Sequence, residues 1–209
     1  MIISLRGTNG SGKSHLVFQL MKRFKTTPIG KDKTGKPMHY RLDLSRGEQL
    51  YVVGPYTSAC GGCDTIQPYD DIWPMVEEVI PKGHVLFEGS IVSSGYGRIG
   101  EATEDYGDSV VFVFLDTPVE KCVQNVVNRR LARGNEKPFD PKNVYQKYRA
   151  VELSVNNIAN KHGRQIFILN HKKAVSQLLG LIYGTIELSS RSDPNLFPKT
   201  DHISRRTKS

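Results

Sequence analysis

Gly7-Thr8-Asn9-Gly10-Ser11-Gly12-Lys13-Ser14 lies between an apolar run, Met1 to Arg6, and apolar positions at helical spacing, Leu16, Val17, Leu20, Met21 and Phe24. Strand, glycine-rich loop and helix is the order that builds a phosphate cradle. The glycines let the backbone curl so that several N–H groups point inward, and the helix N-terminus adds partial positive charge at the same place. The spacing Gly7-x-x-x-x-Gly12-Lys13-Ser14 is that of a Walker A loop. It predicts ATP as ligand: Gly7, Asn9, Gly10, Ser11 and Gly12 form the cradle, Lys13 reaches the β- and γ-phosphates, and Ser14 offers a hydroxyl to Mg²⁺. The loop identifies a phosphoryl donor and leaves the acceptor open.

Outward from the loop, residues 26 to 37 are rich in Lys, Gly, Thr and Pro and separate the first helix from candidate strands at 39–44 and 49–53, which could pair as an inserted hairpin over about 37–54. Ile72, Val76, Val79 and Ile80 give residues 70–80 a helical face, with Asp70 or Asp71 as cap. His84 to Glu88 and Val110 to Asp116 read as strands buried on both faces, which suits a parallel sheet. Thr117-Pro118-Val119-Glu120 starts a helix expected to run to about Arg133 and stop at Gly134; Asp140-Pro141 opens another. Residues 165–169 form the last strand, and Ala174, Val175, Leu178, Leu179 and Ile182 the face of a closing helix. The alternation predicts a three-layer α/β fold with a mostly parallel sheet over 1–184, a lid region near 118–140, and a polar tail, 185–209, expected to be mobile.

The 209 residues suit one catalytic domain, and no apolar run approaches the ~20 residues of a membrane span. Three cysteines make no secreted disulfide framework, so a cytoplasmic protein with no membrane partner is expected. A net charge of +8 and a pI near 9.4 favour phosphate-rich partners, nucleotide or nucleic acid, without choosing between them.

Two carboxylates stand out. Glu88 ends an apolar strand, where an unpaired charge is costly, so it should face a metal, water or substrate; holding the Mg²⁺ water shell and acting as base remain equally open. Asp64 follows the Gly61-Gly62 turn and reads either as an acceptor-facing base or as a turn residue. Cys60-x-x-Cys63 has no second cysteine or histidine pair beside it, so small-residue packing is the better reading than metal or redox chemistry. Gly89, Gly95 and Gly97 around Tyr96 and Arg98 suggest a segment able to close over substrate. Arg129 and Arg133 share a helix face by their spacing and could stabilise the transferring phosphoryl group.

With its loop, the strand ending in Glu88, and Leu115-Asp116-Thr117-Pro118 leading into an arginine-bearing helix, the chain resembles the nucleoside and nucleotide kinases with a phosphate-binding loop. That resemblance implies an arginine lid in which Arg129 and Arg133 act on the transferring group and Arg130 contacts the nucleotide. More narrowly, residues 53–56, 60–66 and 87–90 resemble small phage kinases of 5-hydroxymethyluracil in DNA. This implies a modified pyrimidine in phage DNA as acceptor and the host cytoplasm as location. A kinase of free nucleosides or nucleoside monophosphates, and a nucleotide-binding ATPase without acceptor, are the alternatives.

Overall fold

Near-continuous apolar runs along the central strands call for a sheet covered on both faces, and the computed structural model, which describes residues 1–58 and 61–186, has one. Its strands are β1 (Ile2–Arg6), β2 (Lys25–Ile29), β3 (His39–Asp43), β4 (Gln49–Val53), β5 (His84–Glu88), β6 (Val110–Asp116) and β7 (Ile166–Asn170), in the order β2-β3-β4-β5-β1-β6-β7. The strands from β4 to β7 run parallel, while β2 and β3 extend the β4 edge as an antiparallel ribbon. The helices are α1 (Lys13–Arg23), α2 (Ile72–Val79), α3 (Ser90–Ser93), α4 (Gly97–Ala102), α5 (Val119–Leu131), α6 (Lys142–Asn156) and α7 (Ala174–Ile182).

On one face Ile3, Leu5, Leu86, Val111 and Val113 pack with Leu16 and Leu20 of α1 and Leu178 of α7. On the other, Ile2, Val85, Phe87, Phe112 and Phe114 pack with Ile72 and Val76 of α2 and Val155 of α6. Each such side chain contributes about 1.5–3 kcal/mol on burial, so the two faces supply most of the cohesion. β1 lies between β5 and β6, and the chain fills the sheet on the β5 side before crossing to β6. The crevice above β1 is therefore the place where strand order reverses, the usual ligand position in such sheets.

Several local expectations are corrected. Residues 25–29 form an edge strand, with Pro28 tolerated where a missing N–H costs no interior ladder bond, so the ribbon is wider than a 37–54 hairpin. Neither Asp70 nor Asp71 caps α2 with its side chain; a 3₁₀ turn, Tyr69–Asp71, leads into the helix, and Asp70 pairs with Arg98 at 2.9 Å. Thr117 does not cap α5 either, and Pro118 stands just outside the helix. α5 ends at Leu131, because the Gly134 amide turns back to the Leu131 carbonyl at 2.9 Å. Of the polar tail, residues 187–209 lie outside the described residues, among which no helix is long and apolar enough to cross a membrane.

Candidate active site

The loop between β1 and α1 is held from three sides. Thr117 Oγ1 donates to the Ser11 carbonyl at 2.7 Å, Asn125 Nδ2 of α5 to the Gly10 carbonyl at 2.8 Å, and the Gly7 amide to Ser93 Oγ at 3.2 Å. Gly10 has φ +80°, and a Cβ there would lie 2.2 Å from the Cys122 carbonyl oxygen, so only glycine lets the loop rest on α5. Lys13, 7% exposed, donates to the carbonyls of Gly7 at 2.8 Å and Thr8 at 3.3 Å, which brings its ammonium into the loop.

Glu88, 1% exposed at the end of β5, accepts from Ser14 Oγ at 2.7 Å and from the Tyr56 hydroxyl at 3.4 Å, both through Oε1. Burial pushes its carboxyl above the ordinary glutamate range; the Lys13 ammonium and the Ser14 and Tyr56 hydrogen bonds oppose that, and Asp64 adds to it. Burial also raises the Tyr56 phenol well above its usual value, so Tyr56 is a hydrogen-bond donor at neutral pH. Gly62, at φ +73°, approaches so closely that a Cβ would lie 2.7 Å from the Glu88 carbonyl and 2.9 Å from Oε1. The Gly61-Gly62 turn is thus the wall of the Glu88 pocket. Cys63 beside it is buried, and burial with the Glu88 charge pushes its thiol well up; Cys60 lies outside the described residues.

Asp64 stands exposed at the rim. Its Oδ1 accepts from the amides of Ser90 at 2.6 Å and Ile91 at 3.4 Å, at the start of α3, and Ser90 Oγ donates to Asn9 Oδ1 at 2.7 Å. The carboxylate is thereby tied through α3 to the phosphate loop. Lys147 of α6, absent from the sequence reading, donates to Ser94 Oγ at 2.9 Å and feels the charges of both Asp64 and Lys13; burial lowers its pKa. Its i,i+3 spacing from buried Val144 was the available signal.

The loop, Asp64 and Glu88 line a cleft of about 520 Å³ that continues past Lys121, Asn125 and Arg129 of α5 to His171 and Ala174 beyond β7. Arg129 lies in this cleft, but Arg133 falls in the turn after α5, outside the cleft lining, so the shared helix face does not form. Arg130 donates to Asn135 Oδ1 at 3.2 Å and the Lys137 carbonyl at 3.1 Å and lies 5.3 Å from the Phe139 ring centroid, which braces the same turn.

The glycine segment after Glu88 is partly ordered as α3 and α4. Tyr96 stacks on His162 with centroids 3.7 Å apart, and Arg164 donates to the carbonyls of Thr103 at 3.1 Å and Gly107 at 3.0 Å. Beneath it, fully buried Arg6 donates to Ser4 Oγ at 3.0 Å and to the Gly95 carbonyl, and its guanidinium lies 4.7 Å from the Phe112 ring centroid. Burial lowers the Arg6 pKa to about 9.

No known family profile matches the chain. It is 38% identical over 151 residues to the 5-hmdU DNA kinase of Pseudomonas phage PaMx11, covering 71% of this chain and 79% of that protein. It is 30% identical over 192 residues to the 5-hmdU DNA kinase of Pseudomonas phage M6, covering 86% and 96%. With the 5-hmdU DNA kinase of Delftia phage PhiW-14 it is 25% identical over 197 residues, covering 84% and 70%. Among solved structures, a gluconokinase from Sinorhizobium meliloti 1021 overlays at a TM-score of 0.39 and 13% identity, covering 88% of this chain and 94% of that one, which adds nothing to the fold read from the sheet. The resemblance first seen in short stretches thus extends along most of the chain, and the protein belongs to the family of 5-hmdU DNA kinases, as a phosphotransferase.

Proposed function

We propose that the protein transfers the γ-phosphoryl group of ATP to the hydroxymethyl oxygen of 5-hydroxymethyldeoxyuridine in phage DNA, within the infected host's cytoplasm. The observation that carries this reading is the pairing of family membership with a cleft in which a phosphate loop and two carboxylates converge. The new bond joins the base's hydroxymethyl oxygen to the γ-phosphorus; the bond from that phosphorus to the bridging oxygen breaks, leaving ADP; the hydroxyl proton passes to a carboxylate.

The chain's own groups divide this work. The loop amides and Lys13 bind the donor phosphates, Arg129 acts on the transferring phosphoryl group, and the α5 side of the cleft receives the rest of the nucleotide. Ser14 Oγ and the Glu88 carboxylate are hard oxygen donors in contact with each other, a set that suits Mg²⁺. Bound there, Mg²⁺ would offset charge on the β- and γ-phosphates. That leaves Asp64, at the exposed rim, to accept the proton, and Lys147 to steady the charge of the transferring group. Thymine has a methyl group where the modified base has its hydroxymethyl, so it offers no oxygen to attack.

The test supplies ATP and Mg²⁺ with matched oligonucleotides carrying thymine or 5-hydroxymethyluracil, alongside free 5-hydroxymethyldeoxyuridine and deoxynucleoside monophosphates, and locates phosphate by mass spectrometry. Phosphate on the modified oligonucleotide alone is the expected result. Phosphate only on a free nucleoside or monophosphate overturns the polymer acceptor, and ATP hydrolysis with no phosphorylated product overturns transfer altogether.

A further inference from the structure

The ribbon at the sheet edge carries a feature that neither loop nor carboxylates use. In its register Ile29 pairs with His39, His39 with Val53, and Val52 with Leu86, so the connection from β2 to β3, residues 30–38, rises at the same end of the sheet as Glu88. Its base is joined to the site by direct contact. The Gly54 amide donates to the Met38 carbonyl at 2.8 Å; Gly54 abuts Gly62, where an added Cβ would come within 2.7 Å; and Gly62 is the wall of the Glu88 pocket.

The tip of this arm is a built turn. The Asp32 amide donates to the Lys36 carbonyl at 2.8 Å and the Gly35 amide to the Asp32 carbonyl at 2.9 Å. Asp32 Oδ1 accepts from Thr34 Oγ1 at 2.7 Å and from the amides of Thr34 at 2.7 Å and Lys36 at 2.9 Å. Those bonds, the Thr34 hydroxyl first, hold the Asp32 carboxyl below its usual range. The arm's one carboxylate is therefore engaged by its own turn, while Lys31, Lys33 and Lys36 are exposed around it.

We propose that this arm holds the phosphodiester backbone of the acceptor DNA strand beside the transfer centre, through Lys31, Lys33 and Lys36. The inference rests on the DNA acceptor proposed above and names where the strand runs. β2 lies three strands from β5, and at ~4.8 Å per strand the arm stands roughly 14 Å from Glu88. A strand with one nucleotide engaged at the cleft therefore brings phosphates a few positions along it over the arm. Three ammonium groups there displace counterions from those phosphates and add affinity without reading sequence.

The test measures binding of a labelled single-stranded oligonucleotide of about 20 nucleotides by fluorescence anisotropy over a salt series, for the wild type, for K31Q/K33Q/K36Q, and for K22Q/R23Q/K25Q. The last removes as many charges from the opposite end of β2. The slope of log affinity against log salt should fall by about 2 in the arm variant and hold in the control. In turnover, the arm variant should raise KM for the long modified oligonucleotide about tenfold at low salt, with kcat held, and leave KM for a modified trinucleotide within about twofold. An unchanged slope in the arm variant, an equal loss in the control, or no DNA binding by the wild type each overturns the proposal. If the wild type binds DNA yet phosphorylates none, the acceptor reading fails while the salt slopes still decide the arm.

Discussion

Ser14 Oγ donates to Glu88 Oε1 at 2.7 Å, joining the first turn of α1 to the end of β5 across 74 positions of sequence. If both oxygens serve one Mg²⁺, their losses overlap. Ser14→Ala and Glu88→Gln should each lower kcat by about 10²-fold or more, and the double variant should fall within about threefold of the worse single one. Steady-state rates over a Mg²⁺ titration check this, and fully additive losses would separate the two roles.

The second prediction concerns pH. Burial raises the Glu88 carboxyl, so the folded protein holds that proton to higher pH than the unfolded chain does. In the metal-free protein the titration of this side chain, followed by carbon NMR, should therefore lie above the ordinary glutamate range. Tyr56→Phe, which removes a hydrogen bond to the ionised form, should move it further up. For stability the sign is reversed from a salt-bridged acid. The folded state binds the extra proton, so stability falls as pH rises from the unfolded to the raised folded value. Glu88→Gln should then melt no lower than wild type at pH 8 without ligand, although its turnover falls; a drop of more than about 5 °C by calorimetry would contradict this.

Asp64 combines a structural bond and a proposed chemical role, and two substitutions separate them. Asp64→Asn keeps an oxygen for the Ser90 amide but loses the proton acceptor, whereas Asp64→Ala loses both. Both should reduce kcat by about 10²–10⁴-fold, with only the alanine variant also melting lower, by a few degrees, because the start of α3 loses its partner. A near wild-type kcat in Asp64→Asn would leave Asp64 with the turn alone.

The arginines are expected to behave unequally. Arg129→Ala should lower the single-turnover rate, by about tenfold or more, since Arg129 lies in the cleft. Arg130→Ala should cost stability more than rate, because its guanidinium braces Asn135 and Lys137. Rapid-quench measurements with calorimetry distinguish these outcomes, and equal rate losses for the two would refute the division.

The loop, the central strands and Glu88 were legible because each declares itself locally. Spacing gives the cradle, continuous apolar runs give the buried strands, and a charge at the end of an apolar strand asks for a partner. What escaped depended on distant neighbours. Nothing local shows that the Thr117 hydroxyl belongs to Ser11 rather than to its own helix, or that Lys147 lies near Asp64. β2 escaped for another reason: Lys25-Thr26-Thr27-Pro28-Ile29 has a composition typical of connections, and only its place at the sheet edge makes it a strand.

Arg6 gives the segment above it a particular mechanical character. With a pKa near 9 the guanidinium keeps its charge at neutral pH, yet it is wholly enclosed, and one of its terminal nitrogens has no partner among the described residues. Enclosing such an ion costs part of its hydration, and the Gly95 carbonyl is part of the cover over it. Lifting that cover would break the Gly95 bond but would also hydrate the cation, and the second effect offsets part of the first. Opening the segment over Gly95 therefore costs less than loss of the Gly95 bond alone would suggest.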